Sequence, residues 1–172
     1  MRADDEFHDF YAANYGRTVA LVTSLLGDRT EAEDVAQEAF ARALLRWSRL
    51  RTYDVPEAWI RRVALRLATD SRRRAGRMSR LARLSAGRPA SGGPEPDVVG
   101  SELSEAILAL PFSQRQVVVL YYLVDLPVAQ IASDLRLPPS TVKTRLASGR
   151  RKLEQQLSGQ RAVIRGTGGD AR

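Results

Sequence analysis

Residues Val128–Leu153, VAQIASDLRLPPSTVKTRLASGRRKL, constrain this chain more than any other segment, because they read as two short helices around a tight turn. Ile131, Ala132 and Leu135 fall at core spacing on the first helix, with the small Ala132 where a second helix must cross closely. Pro138, Pro139 and Ser140 supply the break and restart, since proline suits a first helical turn and serine a cap. On the second helix Val142, Leu146 and Leu153 share one side, leaving Ser140, Thr144, Ala147, Ser148 and Arg151 outward. Lys143, Arg145, Arg150 and Lys152 flank that outer face. Short hydroxyl side chains let a helix approach base edges while Lys and Arg meet phosphates and guanines, so the pattern predicts a helix-turn-helix that touches DNA. An amphipathic hairpin with a solvated basic face is the competing reading of the segment alone. Arg136 stands where the turn usually has glycine, which costs about 1 kcal/mol if the residue must adopt a positive φ.

The net charge of +7 conceals an alternation along the chain. Residues 1–40 carry a net −6, 41–88 a net +11, 89–135 a net −5 and 136–172 a net +7. An acidic block followed by a basic one occurs twice, which suggests two modules, each with a surface that repels DNA and one that attracts it. The absence of cysteine excludes a disulfide framework and a thiolate metal site. No run approaches the roughly 18 apolar residues of a spanning helix, and the acidic start MRADDEFHDF is the reverse of a signal peptide, so a cytoplasmic location is expected.

Helical periodicity dominates and strand alternation is missing, which predicts an all-α fold of two small helical domains joined by a flexible linker, the second ending in the helix-turn-helix. A first helix spans about Asp4 to Leu26 and ends at Gly27, with Phe7, Phe10, Tyr11, Tyr15, Val19 and Val22 apolar. Thr30 is expected to cap a second helix in a capping box with Glu33, turning Ala32, Val35, Ala36, Ala39, Phe40, Ala43, Leu44 and Trp47 inward. Pro56 opens a third, with Trp59, Ile60, Val63, Ala64 and Leu67 on its core side and a dense series of arginines after it. The segment GRPASGGPEPDVVG, residues 87–100, holds four glycines and three prolines and cannot bury a core. Beyond it, Leu103, Ile107, Leu108 and Leu110 make a short helix, and Ser113 is expected to cap another through Tyr122 with Val117, Val118 and Leu120 to Leu123 as apolar content. The boundaries are therefore 1–86, a linker 87–100, 101–157, and a tail 158–172 expected to be disordered.

Arg62, Arg66, Thr69 and Arg73 recur at i, i+4, i+7 and i+11 and form one stripe on the third helix. Cations in line beside Tyr53 and Trp59 suit single-stranded DNA, where backbone charge and base stacking both contribute. Trp59 alone is more often core than a stacking platform, and the loop from Leu50 to Pro56 is better placed to hold an extruded base.

In their order along the chain, these pieces resemble the extracytoplasmic-function sigma factors of the sigma-70 family. TEAEDVAQEAFARALLRW is similar to the family's helix that grips the polymerase clamp, and PEAWIRRVALRLATDSRRR to its promoter-opening helix. LPFSQRQVVVLYYL followed by the helix-turn-helix is similar to the domain that reads the −35 element. The resemblance, over about residues 7–157, implies a non-enzymatic factor that binds core RNA polymerase and promoter DNA, with no cofactor, no metal and no small-molecule substrate. It implies polymerase contacts at Glu31, Glu33, Asp34, Gln37, Glu38 and Arg42 and −10 contacts at Tyr53, Trp59, Arg62, Arg66, Thr69 and Arg73. For the −35 element it implies Ser140, Thr141, Lys143, Thr144, Arg145, Ala147, Ser148, Arg150 and Arg151. An anti-sigma factor is a further partner it implies. Leu65 and Arg66 depart from the arginine and asparagine many relatives carry, and Ala147 is smaller than is usual there.

A conventional regulator with a C-terminal helix-turn-helix would explain residues 128–153 equally but not the acidic second helix or the arginine-rich third. An enzyme such as a recombinase finds no support: His8 is the one histidine, and no glycine-rich phosphate loop or carboxylate cluster accompanies it.

Overall fold

The computed structural model describes residues 3–86 and 102–166, which divide between two compact units, Met1–Val98 and Val99–Arg172. The described residues are helical and contain no strand. The expected linker, 87–100, lies outside them.

The first unit comprises α1 (Ala3–Leu26), α2 (Arg29–Leu44), the single turn α3 (Trp47–Leu50) and α4 (Pro56–Ala86). Polar residues inside α1 are satisfied along the helix: the hydroxyls of Thr18, Thr23 and Ser24 and the Asn14 amide each donate to the carbonyl four residues back. Gly27 ends α1 at φ 78°, a left-handed turn that suits glycine. The chain then extends, and Asp28 caps α2, its carboxylate accepting the Glu31 amide at 3.0 Å. This replaces the expected Thr30 cap. Thr30 lies exposed within the first turn, and Glu33, instead of closing a capping box, accepts from Arg29 Nε at 3.0 Å.

Alanines 32, 36, 39 and 43 form the buried side of α2 together with Val35 and Phe40, so α1 and α4 can pack closely against it. Phe7, Phe10, Tyr11 and Tyr15 of α1 meet Phe40 and Trp47 in an aromatic cluster with ring centroids 4.8–6.4 Å apart. Burial pushes the Tyr11 phenol up, and the neighbouring Tyr15 reinforces this. Ile60, Val63 and Ala64 are buried on α4 as the periodicity predicts, joined by Leu65 and Ala68, while Trp59 and Leu67 are half-buried. Leu44 does not turn inward; it is 53 % exposed, and Trp47 reaches the core from α3 instead.

The second unit comprises α5 (Glu102–Ala109), α6 (Phe112–Val118), a π turn over Val119–Leu123, α7 (Val128–Leu135) and α8 (Pro139–Gly166). Pro111, not Ser113, stands at the start of α6; its fixed φ sets the entry, and Ser113 falls inside the helix. Arg115 is only 6 % exposed, its guanidinium donating to the carbonyls of Leu108 and, at 3.0 Å, Leu110, so it caps the end of α5. Val117 to Leu120 enter the core. The π turn, closed by the Val124 amide on the Val119 carbonyl at 3.1 Å, turns Tyr121, Tyr122 and Leu123, part of the helix's expected apolar content, to the surface. A run of eight consecutive apolar residues, Val117 to Val124, exceeds what one inward face can hold.

Ile131, Ala132, Val142 and Leu153 are buried where α7 and α8 meet the rest of the unit. Arg136 ends α7 at φ 54° and ψ 48°, the left-handed conformation expected of the glycine position. Ser140 lies within α8 and does not cap it, since Pro139 already begins the helix. Gly149 is buried where α8 crosses α6: a Cβ there would lie 2.7 Å from Val118 Cγ2. The tail expected to be disordered from residue 158 is helical through Gly166, because no proline interrupts α8 and propagation is easier than nucleation. Residues 167–172 lie outside the described residues.

Candidate binding surfaces

On α2 the exposed residues Asp34, Gln37, Glu38, Ala41, Leu44 and Leu45 recur at three- and four-residue spacing and make one stripe down the helix. It is acidic at its start and apolar at its end, where Leu45 is 85 % exposed. Of the residues singled out from sequence, Asp34, Gln37 and Glu38 lie on this stripe. Arg42 is half-buried beside it, its Nε 2.7 Å from Glu38 Oε1. Glu33 is held by Arg29. Glu31 turns away from the stripe, accepting the Ser71 hydroxyl of α4. The leucines were legible but missed: buried residues at 36, 39, 40 and 43 leave 44 and 45 off the inward arc.

On α4, Arg66 and Arg73 are exposed, while Arg62 and Thr69 are half-buried on the same side. Arg62 Nε donates to the Ala58 carbonyl at 3.2 Å and the Thr69 hydroxyl to the Leu65 carbonyl at 2.8 Å, which lays both side chains along the helix. Trp59 is half-buried against Phe40, Ala43, Trp47, Leu50 and Ile60, a core position and not an open stacking platform. Leu65 is buried, so this departure lies in the core beside the exposed Arg66. Tyr53 is exposed in the loop before α4, a loop fixed by Thr52, whose hydroxyl donates to the Arg49 carbonyl at 2.8 Å. The ion pair Arg51–Glu6, 3.1 Å, ties the start of that loop to α1. Beyond Ser71 the helix carries exposed Arg72, Arg74, Arg77 and Arg80 together with exposed Met78, Leu81 and Leu84, an apolar content that sequence reasoning did not single out.

On α8, Ser140, Thr144, Ala147 and Arg151 are exposed along the crest opposite Val142, Gly149 and Leu153. Lys143 and Arg150 are exposed on one shoulder; Thr141, Arg145 and Ser148 are half-buried on the other. The Thr144 hydroxyl donates to the Ser140 carbonyl at 3.0 Å, which leaves its methyl and oxygen lone pairs at the crest. Arg150 has Glu154 at 4.0 Å, a loose exposed pair that leaves its charge available. Among the described residues no three His, Cys, Asp or Glu side chains gather to hold a metal ion, and no helix is long and apolar enough to cross a membrane.

Comparison with known proteins agrees with this arrangement. The family model for Sigma-70 region 2 matches residues 10–78, and that for Sigma-70, region 4 matches residues 101–153. The ECF RNA polymerase sigma factor SigW of Bacillus subtilis is 35 % identical over 170 residues, covering 89 % of each chain. SigL of Mycobacterium tuberculosis, also an ECF RNA polymerase sigma factor, is 34 % identical over 134 residues, covering 71 % of this chain and 72 % of its own. Among solved structures, CnrH in complex with the cytosolic domain of CnrY has a TM-score of 0.60 at 26 % identity, covering 91 % of this chain and 90 % of CnrH. The sigma factor RpoE in complex with the anti-sigma factor NepR, from Bartonella quintana, has a TM-score of 0.69 at 20 % identity, covering 89 % of this chain and 97 % of RpoE. With both family regions matched in order on the helices that carry the charged stripes, the chain belongs to the extracytoplasmic-function sigma factors of the sigma-70 family.

Proposed function

We propose that this sigma factor, which directs promoter-specific initiation by RNA polymerase, assigns polymerase docking to α2, strand opening to α4 and −35 reading to α8. The observation that carries the reading is the separation of opposite charges onto different helices of one small bundle: the Asp34–Gln37–Glu38 stripe on α2 and the arginine stripe on α4. An acidic stripe ending in exposed leucines suits a protein partner with a basic rim and an apolar centre. Cations in line suit a strand backbone. Tyr53, exposed in the fixed loop before α4, is the aromatic group offered to an extruded base, while Trp59 supports that loop from the core. On α8 the crest residues Thr144, Ala147 and Arg151 face base edges, and Lys143 and Arg150 hold phosphates from the shoulder. In this reading the chain has no catalytic activity of its own, works in the cytoplasm beside polymerase and DNA, and takes an anti-sigma partner of the kind bound to RpoE.

Charge reversal at Asp34 and Glu38 tests the docking assignment. The doubly reversed protein should keep its helicity and lose at least about tenfold in core polymerase affinity, since exposed charge changes leave stability within about 0.5 kcal/mol. Wild-type affinity would remove polymerase docking from α2. Permanganate footprinting of promoter thymines with an Arg62, Arg66 and Arg73 triple alanine variant tests the strand assignment, normal opening being the adverse result.

A further inference from the structure

The Asp28 cap fixes the first turn of α2 by accepting the Glu31 amide at 3.0 Å. From that anchored backbone the Glu31 side chain crosses to α4, where its Oε1 accepts the Ser71 hydroxyl. Ser71 is 8 % exposed and is the last buried residue described on α4; from Arg72 to Leu84 the described side chains are exposed, apart from the half-buried Ser79. At about 100° per residue, Arg62, Arg66, Thr69 and Arg73 all lie roughly 160° to 220° around the helix from Ser71. The bond therefore grips α4 from directly behind its arginine stripe, at the point where the helix leaves the bundle. Apolar contacts between helices tolerate small slides and rotations, whereas a short hydroxyl bonded to a carboxylate fixes both.

We propose that Glu31 and Ser71 form a positioning pair that sets the rotation and reach of α4 relative to α2, so that docking of polymerase on α2 aims the arginine stripe at the strand. The inference deepens the reading above and depends on its assignment of α2 and α4. It also takes Glu31 out of the polymerase contact set expected from sequence.

The test uses the full chain assembled with core polymerase on a promoter duplex carrying 2-aminopurine in the −10 element. Ser71→Ala and Glu31→Ala should each bind core and −35 duplex within about twofold of the unaltered chain yet open the promoter about fivefold more slowly. The double variant should be no slower than either single one, because a shared contact is lost only once. Glu31→Gln, which retains the accepting oxygen and loses the charge, should recover most of the opening rate. In the free chain, amide hydrogen exchange over residues 66–75 should rise in both alanine variants and not in Glu31→Gln; this readout judges the pair without polymerase, whatever becomes of the docking assignment. The proposal is overturned by unchanged exchange there, by additive effects in the double variant, or by a Glu31→Ala loss of core affinity that Ser71→Ala does not share.

Discussion

In the first unit α1 and α2 pack on each other as well as on α4, and the aromatic cluster of Phe7, Phe10, Tyr11, Phe40 and Trp47 lies between α1, α2 and α3. The arginine stripe of α4 is the outer side of a bundle whose aromatic cluster comes from the other three helices, with α4 adding Trp59 and Ile60 to the core. In the second unit α8 packs against α5, α6 and α7 and supplies Val142, Gly149 and Leu153 to their shared core. There the helix proposed to read DNA is also the one that holds the fold together. Two ways of presenting a basic helix result: exposed changes in the first unit should separate binding from stability, whereas core changes in the second should move both.

The largest expected effect tests the independence of the first unit. Phe40→Ala removes a ring packed against Phe10, Tyr11 and Tyr15 and should cost that unit about 3–5 kcal/mol. Denaturation followed by hydrogen exchange should show the loss confined to residues 3–86, with −35 duplex binding intact; a matching loss in residues 102–153 would break the comparison. Arg115→Ala should come next. Removing the guanidinium that caps α5 leaves the Leu108 and Leu110 carbonyls without it, at a cost of about 2–3 kcal/mol. Here stability and −35 affinity should fall together, and retained affinity in a destabilised unit would show that α8 holds its shape without its core.

A smaller effect is expected of Gly149→Ala. Alanine gains about 1 kcal/mol of helix propensity, but its Cβ collides with Val118 Cγ2, and overpacking of this kind costs about 1–3 kcal/mol. The net loss should be about 1 kcal/mol, and Val118→Ala in the same chain should reverse part of it by removing the colliding methyl. Additive losses in the double variant would place the strain elsewhere. The smallest change is a gain: Arg136→Gly relieves a left-handed residue at φ 54° and should raise the second unit's stability by about 1 kcal/mol while leaving −35 preference unchanged.

The fold class, the order of the helices and the helix-turn-helix were legible because each depends on the periodicity of apolar residues or on proline, signals that act over a few positions. The Arg136 conformation was legible for the same reason, since turn geometry is local. The α2 cap was misread because Asp28 and Thr30 both carry capping oxygens, and the choice between them was settled by the left-handed Gly27 just before. Leu44 was misread, and the exposure of Tyr121, Tyr122 and Leu123 was not foreseen, because hydrophobicity alone does not say when an inward face is full. The Glu31–Ser71 bond joins residues 40 positions apart, and no local pattern in one sequence announces such a pairing. Trp59 shows the reverse case, a residue offered two roles by its surroundings in sequence, with the packing of Phe40, Trp47 and Leu50 favouring the core.

The crest of α8 offers its own consequence. Ser140, Thr144, Ala147 and Arg151 stand on the side turned away from Val142 and Leu153, so replacements there leave the interior of the unit as it was. On the proposed −35 assignment, a lineage could therefore exchange one crest residue after another and wander through promoter preferences while every intermediate remained folded. The inner arc, pinned by the Gly149 crossing, allows no such path. Duplicated copies of such a gene would diverge in which operons they serve long before they diverged in shape.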